Sequence, residues 1–537
     1  MSTLKFLRGA TYAPIALAFL ASLSAGAAAQ IGAPGSQAAA NPAVEVGYAQ
    51  HSDVSPPLRD IPAARRESGL FVQPLGRIPV AALPDHQDPV AQTTVGPLVA
   101  TTTGLNFAGV GAGDYGFSPN AAPPDTNLAV GATQVVQWVN ESFAVFDKST
   151  GTLVRGPVAG NTLWAGFGGG CETNNDGDPI VQYDKAAGRW IFTQFSVSTT
   201  PYLQCVAVST TSDATGTYNR YAFSYGNTQF PDYPKLGVWP DAYYISFNIF
   251  NNGTTFAGSK VCAYDRAKML TGAAATQNCF QLSTSYGGLL PSDLDGLTAP
   301  PGGSPNYFMN FGSSSLNLWK FHVDFATPGN STLIGPINIP VASFSAACSG
   351  GGTCIPQPNT RQQLDSLGDR LMYRLAYRNF GTHESLVVNH SVQVSGNKHS
   401  SVTGIRWYEI RNPTTPAVYQ QGTYSPDSTN RWMGSIAMDK VGNIAMGYSA
   451  SSANVFPLIR YTGRVPTDIL GTMQGESSIW PGSGSQLPNL SRWGDYSALA
   501  VDPVDDCTFF YTTEYLKTSG TFNWSTRIAS FKFPGCQ

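Results

Sequence analysis

The sequence predicts an all-β fold, a seven-bladed β-propeller closed by an N-terminal strand. Three observations lead there. First, Asp-opened, strand-rich stretches return at a near-constant interval. Asp125 and Asp178 stand 53 residues apart, and Asp178 and Asp232 stand 54 apart, close to the ~50 residues of four-stranded repeats. Second, Gly (56), Pro (38) and aromatics (12%) are plentiful while charged residues are only 12%, a mix that disfavours long helices and suits short strands with tight turns. Third, Ser491–Phe533 reads as three strands broken at Asp502-Pro503 and Asp505-Asp506. One such unit cannot bury both of its faces, so it implies neighbours of the same kind.

Residues 1–30 read as a secretory signal. Lys5 and Arg8 are the basic region, Ile15–Leu23 the apolar core and Ala27-Ala28-Ala29 the cleavage site. A membrane anchor is the rival reading, but the apolar run is shorter than the ~20 residues a bilayer requires. Residues 31–95, rich in Ala, Pro, Gln and Val without periodicity, read as a disordered linker or pro-region.

The propeller is expected over 96–537. Its first three units open at Asp125, Asp178 and Asp232. Less regular ones open near Asp293 or Asp295, at Leu364-Asp365 and at Arg431-Trp432, and the last is the stretch from Ser491. That last unit shows three strands before the chain ends. Leu98–Phe107 is the candidate for the missing fourth, closing the ring and covering an otherwise open edge. A tandem of β-sandwiches is the alternative; the regular period and the lack of a Pro/Gly linker between units argue against it.

A net charge of −3 without basic blocks makes nucleic acid an unsuitable partner. Eight cysteines, Cys171, Cys205, Cys262, Cys279, Cys348, Cys354, Cys507 and Cys536, all lie in the exported part. None has the C-x-x-C spacing of a zinc site, so disulfides are expected. Proximity suggests Cys348–Cys354, Cys507–Cys536, Cys262–Cys279 and Cys171–Cys205.

In such a ring the starts of first strands and the ends of second strands converge on one face. Asp178, Asp232, Asp365, Arg431, Arg492 and Asp495 fall at the starts, with Asp125 and Lys235. Glu514 and Arg378 fall at second-strand ends, and His383 follows the latter. Carboxylates whose pKa values are split divide acid and base roles, and arginine forks grip carboxylates. Hence Asp495, Glu514, Tyr496 and His383 are the catalytic candidates, and Arg378, Arg431, Arg492, Asp178, Asp232 and Asp365 the ligand-binding ones. The plainer account is that blade-opening Asp residues cap turns, and that Arg431-Trp432 and Arg492-Trp493 brace adjacent blades. Asn174-Asn175-Asp176-Gly177-Asp178 is Asp-rich and a candidate for calcium, but it lacks the glutamate and spacing of an EF-hand, and an Asx- and Gly-rich turn is the commoner explanation. No metal site and no cofactor are expected.

Thr211-Ser212-Asp213-Ala214-Thr215-Gly216-Thr217-Tyr218 resembles a relaxed Asp-box of sialidase-type propellers, with Gly displaced by one and Tyr in place of Trp. Pro123–Asn127 and Arg492–Ser497 resemble motifs of secreted bacterial propeller proteins of no settled activity. The sialidase-type resemblance implies a glycan-directed axial site with arginines, a Tyr/Glu pair and an acid; Tyr496, Glu514 and Tyr515 lie where such a pair would fall. The expectation is a secreted monomer whose ligand is a glycan or another polar molecule, acting as a glycoside hydrolase or polysaccharide lyase, or else binding without catalysis.

Overall fold

The computed structural model describes residues 42–66, 69–74, 76–80, 87–395 and 402–537. The expected signal at 1–30 lies outside them. The fold is all-β, with a few short helices. It is built from successive four-stranded antiparallel units. The first runs through Asn127–Val130, Gln134–Val139, Ser142–Asp147 and Leu153–Ala159. The second holds Ile180–Asp184, Arg189–Ser196, Leu203–Ser209 and Tyr218–Ser224. The third holds Gln229–Val238, Tyr243–Asn251, Thr255–Tyr264 and Thr276–Gln281. The fourth holds Leu290–Leu294, Asn306–Gly312, Ser315–His322 and Thr332–Pro340.

After a loop stapled by Cys348–Cys354 comes the fifth unit, with Met372–Asn379, Glu384–Ser395, Val402–Arg411 and Ala417–Tyr424. The sixth holds Asn430–Met438, Ile444–Ser452, Val455–Arg464 and Ser477–Trp480. The last holds Ala498–Val501, Thr508–Leu516 and Trp524–Lys532, and its outer edge pairs antiparallel with Thr102–Ala108.

The first strand of each unit packs on the first strand of the next, and Ala498–Val501 returns to Asn127–Val130. The units therefore close on themselves. With a neighbour on both faces, these first strands are largely buried on both sides and show no clean inside–outside alternation. Between units lie large aromatics. The rings of Trp138 and Phe143 sit 5.3 Å from Phe192 of the second unit, and Tyr461 stacks on Phe531 at 3.9 Å. Each fully buried ring of this size contributes roughly 2–3 kcal/mol. Polar clasps add specificity. The Val181 N–H donates to Asn127 Oδ1, Val238 N–H to Asp293 Oδ1, and Leu499 N–H to Ser435 Oγ.

Within 31–95, expected to be disordered, some of the described residues form strands instead. Glu45–Val54 is a strand lying between the second and third units, paired with Tyr218–Ser224 and Thr276–Gln281. It joins two sheet edges that would otherwise be open, and Asp53 pairs with buried Arg220. Further on, Ala91–Gln92 pairs with Thr423 and Tyr424. Short segments with no alternation of their own are ordered here by edges supplied from elsewhere.

Disulfides join Cys171–Cys205, Cys262–Cys279, Cys348–Cys354 and Cys507–Cys536, and no described cysteine is free. Such bridges suit an oxidising compartment. No described helix is long and apolar enough to cross a membrane.

Candidate functional site

At the end where the first strands begin, the backbone makes the same tight entry in several units. Asp125, Asp178, Tyr233, Leu367 and Met433 all have positive φ, between 43° and 56°. Asp tolerates this left-handed conformation better than most residues, and the turns bring carboxylates from distant units together. Asp125 accepts the Asp495 N–H at 2.8 Å, and Asp178 accepts the Tyr233 N–H at 3.1 Å. Arg492 is ion-paired with Asp495 at 2.5 Å. The Lys235 ammonium lies over the rings of Tyr233 (3.4 Å) and Tyr496 (3.9 Å), and the Tyr496 hydroxyl donates to the Pro179 carbonyl.

Packing carboxyl groups from several units around the buried Lys235 ammonium shifts the titration of Asp125, Asp178 and Asp232. Burial pushes Asp178 up to about 6, with Lys235 opposing the rise. Burial, then repulsion from Asp178, pushes Asp232 to about 8. Burial also brings Lys235 down to about 8 against the pull of Asp178. Asp125 is held well above the usual range by burial and by Asp495. Glu514, buried with only the Gly494 N–H donating to it, rises to about 8, and Asp365 rises by burial to about 6.

Six of the expected site residues thus meet at this end: Asp178, Asp232, Arg492, Asp495, Tyr496 and Glu514. Asp365 borders them and accepts the Leu367 N–H. The Tyr496 hydroxyl donates to the Pro179 carbonyl, Glu514 accepts the Gly494 N–H, and each residue is 1% exposed.

Three expected residues belong elsewhere. Leu364–Asp365 pairs with Thr353–Ile355 and is not a first strand; the first strand of the fifth unit is Met372–Asn379. Arg378 therefore ends a first strand, not a second one, and lies at the opposite end of the ring, bound to Asp506. His383 sits in the following hairpin turn, stacked on Phe380 at 4.8 Å, where burial and then Arg411 lower its pKa. Arg431 is buried between units, ion-paired with Glu476 and Asp427. The same one-strand offset applies to the fourth unit. Asp293 and Asp295 end its first strand and pair with Arg374 at the far end. The Arg-Trp repeat braces the ring through its tryptophans: Trp432 and Trp493 pack at 5.7 Å.

Over the acidic cluster lies a cavity of about 500 Å³. Phe71, Phe195, Phe230 and Phe250 form its apolar walls, while Asp232, Asp176, Glu141 and Arg77 supply polar groups. Asp176, in the Asp-rich turn, is pinned by the N–H groups of Val197 (2.5 Å) and Ser198 (2.8 Å). Gln73 also lines the cavity. Its carboxamide donates to Asp178 Oδ1 at 2.7 Å, and its carbonyl accepts from Arg492. Among the described residues, no group of three or more His, Cys, Asp or Glu is placed to hold a metal ion. Sequence reasoning missed Gln73, Arg77 and the phenylalanines. Phe195 and Phe250 sit near the ends of second strands, where the repeat reading already pointed; nothing in the sequence around Gln73 marks it.

No family model matches the chain, and no curated protein matches it. Likeness to solved structures is slight. An exo-β-1,3-galactanase from Clostridium thermocellum has a TM-score of 0.29 at 11% identity, over 68% of this chain and 80% of that one. A polysaccharide lyase, ulvan lyase, has a TM-score of 0.27 at 12% identity, over 78% and 80%. Drosophila plexin A, in complex with semaphorin 1b, has a TM-score of 0.28 at 7% identity, over 83% and 89%. At these scores the likenesses carry no argument about what the chain does.

Proposed function

We propose that the units form a seven-bladed propeller closed by Thr102–Ala108, exported from the cell, and that it acts on a glycan bound in the cavity above the axial carboxylates. One observation carries the reading: Asp232 faces an aromatic-walled cavity of about 500 Å³ with its carboxyl raised to about 8. A carboxyl that keeps its proton at neutral pH is a general acid, and aromatic faces with a few polar groups suit a sugar ring. Asp232 gives its proton to the glycosidic oxygen as the bond to the anomeric carbon breaks. Water adds at that carbon, and its proton passes to the pinned carboxylate of Asp176.

The test is a screen of the full-length protein on neutral and uronate-bearing glycans, with reducing-sugar and unsaturated-uronate readouts. Reducing ends are expected to appear, with activity falling above about pH 8 as Asp232 loses its proton. Asp232→Asn should lower kcat at least ~100-fold, the scale of general-acid catalysis. Activity that is unchanged in Asp232→Asn removes this assignment. A second reading, glycan capture without catalysis, is favoured by the backbone bonds that occupy Asp125, Asp178 and Glu514. It predicts binding with no product from the wild-type chain.

A further inference from the structure

Residues 71–74 and 76–80 cross the same end of the ring as an extended segment. Gln73 is its polar anchor. The carboxamide N–H₂ donates to Asp178, the carboxamide oxygen accepts from Asn140, and the backbone carbonyl accepts from Arg492. The Gly76 carbonyl accepts from Arg370 at 3.2 Å. Gly76 itself runs so close to the acid that a Cβ there would meet Asp232 Oδ2 at 2.5 Å. Ile78 is the apolar anchor, 6% exposed, seated against Gly287 and Gly288.

The segment is also a partition. On one side, Phe71, Gly76 and Arg77 line the cavity of about 500 Å³. On the other, Pro79 and Val80 line a second cavity of about 340 Å³ with Tyr286, Asn310, Asn317 and Asp369. Regular structure holds it only slightly, since Phe71–Val72 pairs over two residues with Ala121–Ala122. Leu70, Phe71 and Val72 remain 70%, 48% and 41% exposed. Apart from the anchors at Gln73, Gly76 and Ile78, the segment has little regular ladder and an exposed apolar start, and such segments open more readily than the strands beneath them.

We infer that residues 71–74 and 76–80 are a built-in occupant of the axial site, and that displacing them opens one trench for a neutral, polyhydroxylated chain. The chemistry of Gln73 sets the ligand class. It offers Asp178 an uncharged donor, and it offers Asn140 and Arg492 uncharged acceptors, the pattern that vicinal sugar hydroxyls also present. The length of a trench joining both cavities calls for an oligosaccharide rather than a single sugar. The inference rests on the glycan reading above and adds to it that the site is self-occupied.

The experiment uses the full chain with Gln73→Ala and, separately, Ile78→Ser, which lies outside the hydrogen-bonded cluster. Carboxyl labelling with a water-soluble carbodiimide and an amine is read at Asp178 by mass spectrometry. Binding of cellohexaose and of xylohexaose is measured by calorimetry. Both variants should raise Asp178 labelling and tighten binding of at least one hexasaccharide by about tenfold, because apparent affinity scales with the fraction of open site. Unchanged labelling in both variants overturns the proposal, and so does raised labelling with no gain in binding. Glycan hydrolysis by the wild-type chain with unchanged labelling would leave the glycan reading standing and remove only the self-occupied site. Raised labelling and tighter binding with no hydrolysis would keep the self-occupied site and remove catalysis, leaving glycan capture.

Discussion

The N–H of Asp495 donates to the carboxylate of Asp125 at 2.8 Å, across 370 residues of sequence. This bond ties the last unit to the first, beside the Arg492–Asp495 ion pair. It sits where a buried carboxylate is repelled by Asp495 and Asp178, so the acceptor and the charge act in opposite directions.

Two substitutions at Asp125 separate them. Asp125→Ala leaves the Asp495 N–H buried without an acceptor and should cost about 1–3 kcal/mol, the penalty of an orphaned buried donor. Asp125→Asn keeps an acceptor oxygen and removes the unfavourable charge, so it should cost less than half as much. Urea denaturation at pH 7 measures both. Equal losses would mean that the charge, not the acceptor, holds the two units together.

Glu514 makes a pH prediction with a definite sign. Its ordinary value is 4.5, and burial raises it to about 8 in the folded chain. Below 4.5 both folded and unfolded chains carry the proton, and the stabilisation is complete. Between 4.5 and about 8 only the folded chain retains it, so stability is lost as pH rises through that window. One such proton gives a slope of up to ~1.4 kcal/mol per pH unit. Glu514→Gln carries no titrating group and should flatten the decline between pH 5 and pH 8, measured as melting temperature against pH. An equally steep decline in the variant would assign the slope to Asp232 and Asp125.

How much of this was legible in the sequence follows from where the information lies. Asp125, Asp178 and Asp232 recur at a near-constant interval because the first two precede a first strand and the third sits at the irregularity inside one, so period and chemistry coincided and the central cluster was readable. Leu364-Asp365 imitates that opening. A dipeptide cannot show whether its strand partner is Thr353–Ile355 or the rest of the fifth unit, and that ambiguity carried Arg378 and His383 to the wrong end. Asp293 misled in the same way. Glu45–Val54 and Gln73 were invisible for another reason: their order comes from edges and carboxylates contributed by distant units, and neither has a periodicity of its own. The buried, two-faced first strands also lack the alternation by which sequence reading assigns a face.

The closing strand offers the most direct test of the ring. Thr102–Ala108 supplies the partner for Trp524–Lys532, with Ile528 opposite Phe107 and Ala529 opposite Asn106. Cys507–Cys536 independently ties the tail after that strand to the hairpin before it. Deleting residues 101–109 removes the first device and leaves the second. The last unit should stay folded locally while the edge of Trp524–Lys532 is bared, and a bared edge recruits strands from other chains. Size-exclusion chromatography should show more association than in the full chain. A synthetic peptide of residues 99–110, added in trans, should reverse it by strand addition. If the deletion instead unfolds the protein and the peptide does not rescue it, the strand is part of the folding core. If association is unchanged, the edge is covered by something other than this strand.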